Sequence, residues 1–415
     1  MHRLASPTSI VSRSEAGEAP AADRSAPPAA SPGRIPLSEP TIGGNAPRYL
    51  QECLDTNFVS SVGPFVERFE TQFAALVGSR FAVACASGTA AIHLALRVLD
   101  IGPGDEVLVP TLTFVASVNP IAYVGATPVL VDSELATFNL DPELVVAELD
   151  RRARLGLRQP AAIEIVDLLG HPAAIEPIAV AAERHGVTIF EDASEALGAT
   201  YVGGGYDGRH VGTIGRVGCF SFNGNKLITT GGGGMLVTDD EALARRARHL
   251  STQARLPGPA YDHDEVGYNY RLSNVAAALG VAQLEQMPVL LEARRTNASR
   301  YEAAIAGIPA LRPAPRAAWA DPSFWLYTAS LDRSVSSLGR DDVVGAMAEA
   351  GIEARPIWTP LHRTRLYADA ARLGGAVAES IFADAFSLPS SSSLTVAQAE
   401  RVVSRLADVL AAPRP

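Results

Sequence analysis

One lysine stands in a chain whose other basic residues are all arginine. It is Lys226, in the run CFSFNGNKLITTGGGGMLVT, just past a short apolar segment and just before four consecutive glycines. A guanidinium replaces an ammonium in most surface roles, but it does not serve as an amine nucleophile. A solvated surface lysine is the ordinary alternative. A single amine kept in a tight, Gly-rich turn favours instead a reactive group, one that condenses with a carbonyl.

An amine of that kind suggests pyridoxal phosphate (PLP), which needs two further parts. A carboxylate must face the pyridine nitrogen and keep it protonated as an electron sink. Asp192 closes the apolar run VTIFED and so falls at a strand's carboxyl end, although a helix N-cap is an equally ordinary role for it. The phosphate needs amide donors at a helix N-terminus, and Ser87-Gly88-Thr89 follows FAVAC and opens an Ala/Leu-rich stretch. Gly88 lets the backbone come close to a phosphate, Thr89 offers a hydroxyl, and Ser221 can add another. Phe114, in VPTLTFVAS, is a candidate to lie over the cofactor ring, though an isolated Phe is more often core.

These residues must be positioned by an alternation of short apolar strands and helices that begins at Phe81. FAVACAS, GDEVLVP, TPVLVD, AIEIVDLLG, VTIFED, CFSFN and GGMLVT read as strands, with helices to about Leu99, around 174–185 and over 239–250. That alternation predicts an α/β fold with a mainly parallel sheet covered on both faces, and ligands sit at the carboxyl ends of such strands. A Pro-, Gly- and Tyr-rich connection, ARLPGPAYDHDEVGYNYRLSN, precedes a long helix over about 273–297, with Ser273 as its N-cap. The remainder, with a helix over 340–350 and the segment GIEARPIW, reads as a smaller α+β domain. The expected division is a tail over 1–33, a large domain over 34–265 and a small domain over 266–415.

Composition narrows the function classes. The 415 residues are 47% hydrophobic and 19% charged, which excludes collagen, coiled coil and wholesale disorder. A formal charge of −10 repels polyanions, so nucleic acid is not the expected partner. Cys53, Cys85 and Cys219 lie far apart, with no zinc spacing among them, and imply a reducing, cytoplasmic compartment without a structural metal. None of the 8 His residues forms an HExxH pattern. Apolar runs are too short to span a bilayer. Residues 1–33 are rich in Ala, Pro and Ser, without an apolar h-region, and read as an unstructured tail.

The motifs ASGTAAIHLAL, GPGDEVLVPTLTFVAS, YVGATPVLVD, EDASEALGATY, SFNGNKLITTGGGGM and GYNYRLSNVAAALGVAQLE follow one another from about residue 34 onward. In that order the chain resembles the DegT/DnrJ/EryC1/StrS sugar aminotransferases of PLP fold type I, the aspartate-aminotransferase-like fold. The resemblance implies that Lys226 holds PLP and Asp192 pairs with the pyridinium. It also places Phe114 on the ring, Gly88, Thr89 and Ser221 at the phosphate, and Glu195 near the cofactor. It implies a homodimer with a shared site, to which Asn269 reaches from the neighbouring subunit, and L-glutamate as amino donor. The segments 58–70, 221–236 and 251–255 look most like enzymes that aminate C4 of UDP-linked 4-keto-6-deoxy-N-acetylhexosamines. A dTDP- or GDP-linked keto sugar or a keto-cyclitol is the alternative. The related PLP sugar dehydratases carry His at the lysine position, which Lys226 opposes, and the complete set of parts opposes a non-catalytic binding protein. The chain departs from the family at Asp167, in IVDLLGHP, where relatives commonly have His; a carboxylate there would alter the local charge.

Overall fold

Two helices precede the first strand, α1 (Ala46–Asp55) and α2 (Pro64–Val77). Strands and helices then alternate as β1 (Phe81–Cys85), α3 (Gly88–Val98), β2 (Glu106–Pro110), α4 (Val115–Tyr123), β3 (Thr127–Val131), α5 (Pro142–Leu155), β4 (Ala162–Val166), α6 (Ile175–His185) and β5 (Thr188–Asp192). The short β6 (Thr200–Tyr201) is followed by β7 (Val217–Ser221), β8 (Gly234–Thr238) and α7 (Glu241–Ser251). After the long α8 (Asn274–Ile305) come β9 (Leu311–Arg312), β10 (Ala320–Asp321), β11 (Tyr327–Leu331), α9 (Arg340–Glu349), β12 (Arg355–Pro356), β13 (Arg372–Leu373), α10 (Ala376–Asp384), β14 (Ala385–Leu388) and α11 (Val396–Ala411). This computed structural model describes residues 33–411. The tail expected over 1–33 therefore lies, but for Gly33, outside the described residues.

The main sheet has eight strands in the order β1-β8-β7-β5-β4-β2-β3-β13. All its pairings are parallel except those of β8, which is antiparallel to β1 and β7. Alternation within each strand sends one set of apolar side chains to each face. Val83, Val107, Val109, Phe190, Val217 and Leu236 meet α3, α4 and α7 on one side. On the other, Ala82, Leu108, Val129, Ile163, Ile165 and Val237 meet α1, α2, α5, α6 and the first half of α8. The expected two-sided burial of a mainly parallel sheet is what the chain adopts.

Ser273 caps α8, its Oγ accepting from the Ala276 N–H at 3.3 Å. The helix runs past the expected end near 297 to Ile305, because Asn297, Tyr301 and Ile305 repeat at four-residue spacing and are all buried. Its first half lies against α2 so closely that a Cβ on Gly280 would come within 2.8 Å of the Phe69 ring. Its second half packs on a second sheet, ordered β12-β14-β11-β9, together with α9 and α11. From Ile35 on, the chain is one compact unit, and α8 runs from the core on one face of the main sheet into the core of the second sheet.

Candidate active site

The carboxyl ends of β5 and β7, the N-terminus of α3 and the loop between β7 and β8 surround a cavity of about 310 Å³. Gly88, Thr89, Phe114, Asp192, Glu195, Ser221 and Lys226 all line it. Residues up to 138 positions apart (Gly88 to Lys226) thus meet where an open α/β sheet binds ligands.

Lys226 sits in a loop closed on itself by the Phe222 N–H donating to Gly233 O at 2.8 Å and the Lys226 N–H donating to Asn223 O at 3.0 Å. The start of this loop is anchored from below, where Phe222 packs against Phe69 and Phe73 with ring centroids 5.1 and 5.3 Å apart. The Lys226 side chain is only 13% exposed, which rules out a solvated surface role. Its Nζ lies 3.8 Å from Glu195 Oε1 and 3.6 Å from the centroid of the Trp325 ring. Burial pushes the amine below its ordinary lysine value, while Glu195 and Asp192 oppose that and Arg294 adds to it. Glu195 is held by the Leu169 N–H, which donates to Oε2 at 2.8 Å. Burial raises its carboxyl above the usual range, and the Lys226 charge partly restores it.

Asp192 ends β5, and a turn rather than a helix follows, so it is not an N-cap. Its Oδ2 accepts from Ser117 Oγ at 2.8 Å and its Oδ1 from the Ser194 N–H at 3.0 Å. Thr113 Oγ1 lies 2.9 Å from Ser117 Oγ and completes the support. The carboxylate is thereby fixed at the cavity wall with one edge tied to α4 and the other to its own turn.

At the other end of the cavity, Ser87 caps α3, its Oγ accepting from the Ala90 N–H at 3.0 Å. The N–H groups of Gly88 and Thr89 have no acceptor inside the helix, and both residues line the cavity. A Cβ on Gly88 would come within 2.8 Å of Ser221 Cβ and 3.2 Å of Ser194 Oγ, so a side chain there would fill the space between the helix end and two serine hydroxyls. Bare amides, hydroxyls and a helix N-terminus make a cradle suited to a phosphate. Together with a buried amine and a fixed carboxylate, the donor set fits PLP; Gly88, Thr89, Ser194 and Ser221 could hold its phosphate, Asp192 its ring nitrogen and Lys226 its aldehyde carbon.

Phe114 is 48% exposed and is not a core residue; its ring meets Trp358 with centroids 5.0 Å apart. Asn269 is exposed, bridges to Thr252 in the connection before α8, and is not part of this cavity wall. Asp167 also lies outside the wall. It is fully buried, Oδ1 accepts from the Ala173 N–H at 2.9 Å, and burial beside Glu191 drives its carboxyl well above the usual range. It closes the turn after β4 beside Asp192, whose backbone carbonyl accepts the Asp167 N–H at 3.2 Å and whose charge adds to that upward push.

Trp325, Trp358, Ser117 and Ser194 were not singled out from the sequence. Ser194 and Ser117 could have been sought within two or three residues of Asp192 and Phe114. The tryptophans come from the far third of the chain, and only their rarity, three in 415 residues, marked them.

Among the described residues no helix is long and apolar enough to cross a membrane, and no group of three or more His, Cys, Asp or Glu could hold a metal ion. All three cysteines are buried and free. A profile of the DegT/DnrJ/EryC1/StrS aminotransferase family matches residues 40–407. EpsN of Bacillus subtilis (strain 168), provisionally named a pyridoxal phosphate-dependent aminotransferase, is 43% identical over 89% of this chain and 94% of its own. A GDP-perosamine synthase of Caulobacter vibrioides is 42% identical over 91% of this chain and 98% of its own. Among solved structures, DesV of S. venezuelae superposes with a TM-score of 0.81 at 32% identity, covering 92% of this chain and 100% of that one. With a buried lysine, a strand-end aspartate and a phosphate cradle in one cavity, and with relatives alike over nearly their full length, the chain belongs to the DegT/DnrJ/EryC1/StrS family of PLP-dependent aminotransferases.

Proposed function

We propose that this sugar aminotransferase moves an amino group from L-glutamate to the C4 keto group of a nucleotide-linked 6-deoxy sugar, with GDP as the nucleotide. The observation that carries the transfer chemistry is the Lys226 amine, buried 3.8 Å from Glu195 in the cavity that Asp192 also lines. The nucleotide rests on the relative named GDP-perosamine synthase, which favours GDP over the UDP-linked N-acetylhexosamine expected from segments 58–70, 221–236 and 251–255. The UDP sugar is the second reading.

PLP supplies an aldehyde that condenses with amines and an electron-poor ring that accepts the electron pair left at a substrate's Cα. The chain's residues do the rest. Gly88 and Thr89 would bind the phosphate through their N–H groups, and Asp192 would hold the proton on the ring nitrogen. Lys226 Nζ would take the proton from the donor's Cα as general base. Glu195 and Trp325 flank that amine and orient it, while Phe114 and Trp358 cover the cavity on the exposed side and exclude water. For the keto sugar the same groups act in the reverse direction. We further propose a homodimer in the cytoplasm in which Asn269, exposed in its own chain, reaches the phosphate of the partner's site.

The half-reaction needs no sugar. L-glutamate alone is expected to convert the absorbance of the purified protein from the pyridoxal to the pyridoxamine form, and a GDP-linked 4-keto-6-deoxy sugar is expected to reverse it faster than its UDP or dTDP counterpart. No spectral change with glutamate, glutamine or alanine would sink the aminotransferase assignment of the site; reversal fastest with the UDP sugar would overturn only the nucleotide.

A further inference from the structure

Arg294, on α8, is 2% exposed. Its guanidinium forms no ion pair with a carboxylate among the described residues, and burial alone pushes its pKa down to about 10. It therefore remains charged at neutral pH. Every acceptor it has is neutral: Nη1 donates to Trp325 O, Nη2 to Ser38 Oγ at 3.2 Å and to Lys226 O at 3.5 Å, and Nε to Ser392 Oγ at 3.2 Å. Burying a charge without a counter-ion costs several kcal/mol even when its donors are satisfied, and an apolar side chain would fill the space without that cost.

The partners show where the charge acts. Two of the carbonyls belong to Lys226 and to Trp325, whose ring stacks 3.6 Å from Lys226 Nζ. Ser38 extends the clamp, donating to Asn225 O at 2.7 Å, and that same carbonyl accepts the Trp325 indole N–H at 2.7 Å. One guanidinium thus ties together residues 225–226, Trp325 and the segment before α1 that carries Ser38.

We propose that Arg294 is a positioning residue for the Lys226 amine: it clamps the Lys226 and Trp325 backbones so that indole and amine stay in contact, and it sets an uncompensated positive charge behind the amine. The groups that face Lys226 are Glu195 and Asp192, which favour the ammonium, and Arg294, which with burial favours the free amine. An amine that must act as nucleophile and base near neutral pH needs that balance. The inference rests on Lys226 being the reactive amine, but its test reads the lysine itself.

Because Lys226 is the only lysine, trace acetylation of the full chain freed of cofactor, quantified by mass spectrometry on the peptide that contains it, reports one side chain as pH is varied. The midpoint of that profile follows the amine's protonation, whereas the plateau follows access. The wild-type midpoint is expected below the ordinary lysine value. In Arg294→Met and Arg294→Gln it is expected to move upward, so that at pH 8 labelling is roughly threefold to tenfold slower. Arg295→Gln is the control, since Arg295 is paired with Asp321 at 2.8 Å, and its midpoint should stay in place. Should Arg294→Met not fold, Arg294→Gln, which keeps a donor and much of the volume, carries the comparison. A wild-type midpoint at or above the ordinary value, or one unchanged in a folded Arg294 variant, overturns the proposal and leaves the glutamate half-reaction to judge the aminotransferase reading separately.

Discussion

Asp192 illustrates how a single side chain acquires its role. In a run such as VTIFED a terminal aspartate could cap a helix, but the turn after β5 leaves no helix to cap, and Ser117 Oγ and the Ser194 N–H hold both of its oxygens at the cavity wall. An amide has nearly the same shape, yet it carries no charge to keep a proton on a ring nitrogen. Asp192→Asn is therefore expected to retain PLP through the phosphate contacts while turnover falls by about two orders of magnitude or more. Cofactor content by absorbance and steady-state turnover check this together, and near-normal turnover would remove Asp192 from the chemistry. At this scale the sequence was informative where rarity or position spoke. That Lys226 and Asp192 would share one cavity was legible because nothing else in the chain is an amine side chain and because Asp192 ends a strand. Trp325 and Ser117 were not, because their meaning arises only when the second sheet and α4 are brought against the lysine loop.

The first turn of α3 carries the proposed phosphate cradle, and its geometry belongs to three elements at once. Ser87 satisfies one helix N–H, and β7 supplies Ser221 and the turn after β5 supplies Ser194 beside Gly88. Gly88→Ala places a methyl group where the nearest atoms lie at 2.8 to 3.2 Å, an overpacking that costs about 1–3 kcal/mol and falls on the phosphate space. PLP affinity is expected to drop at least tenfold, beyond the stability loss that the clash itself causes in the cofactor-free chain; equal affinity in a titration would show that the phosphate lies elsewhere. Seven of the eight strands of the main sheet could be read from period and punctuation because each is short, apolar and bounded by Gly, Pro or Asp; the edge strand β13 could not, since its two residues, Arg372 and Leu373, carry no such pattern. The end of α8 could not, since it continues through Pro288 on the strength of Tyr301 and Ile305 meeting the second sheet, a tertiary term that local pattern does not contain.

For the molecule as a whole, the central claim is that one amine carries the chemistry of a chain whose two cores are joined by α8 and whose cavity lies at the strand ends. That claim is open to a whole-chain readout because Lys226 is the sole lysine. A lysine-specific protease acting on the denatured chain should cut once, after Lys226, and yield two fragments. Borohydride treatment of the PLP-loaded protein before denaturation converts a cofactor–lysine link into a stable secondary amine, so the account predicts that cleavage is blocked and that the full-length chain retains the added cofactor mass at Lys226. If cofactor is present and reduction leaves cleavage after Lys226 unaffected, Lys226 does not hold PLP, and the account is contradicted.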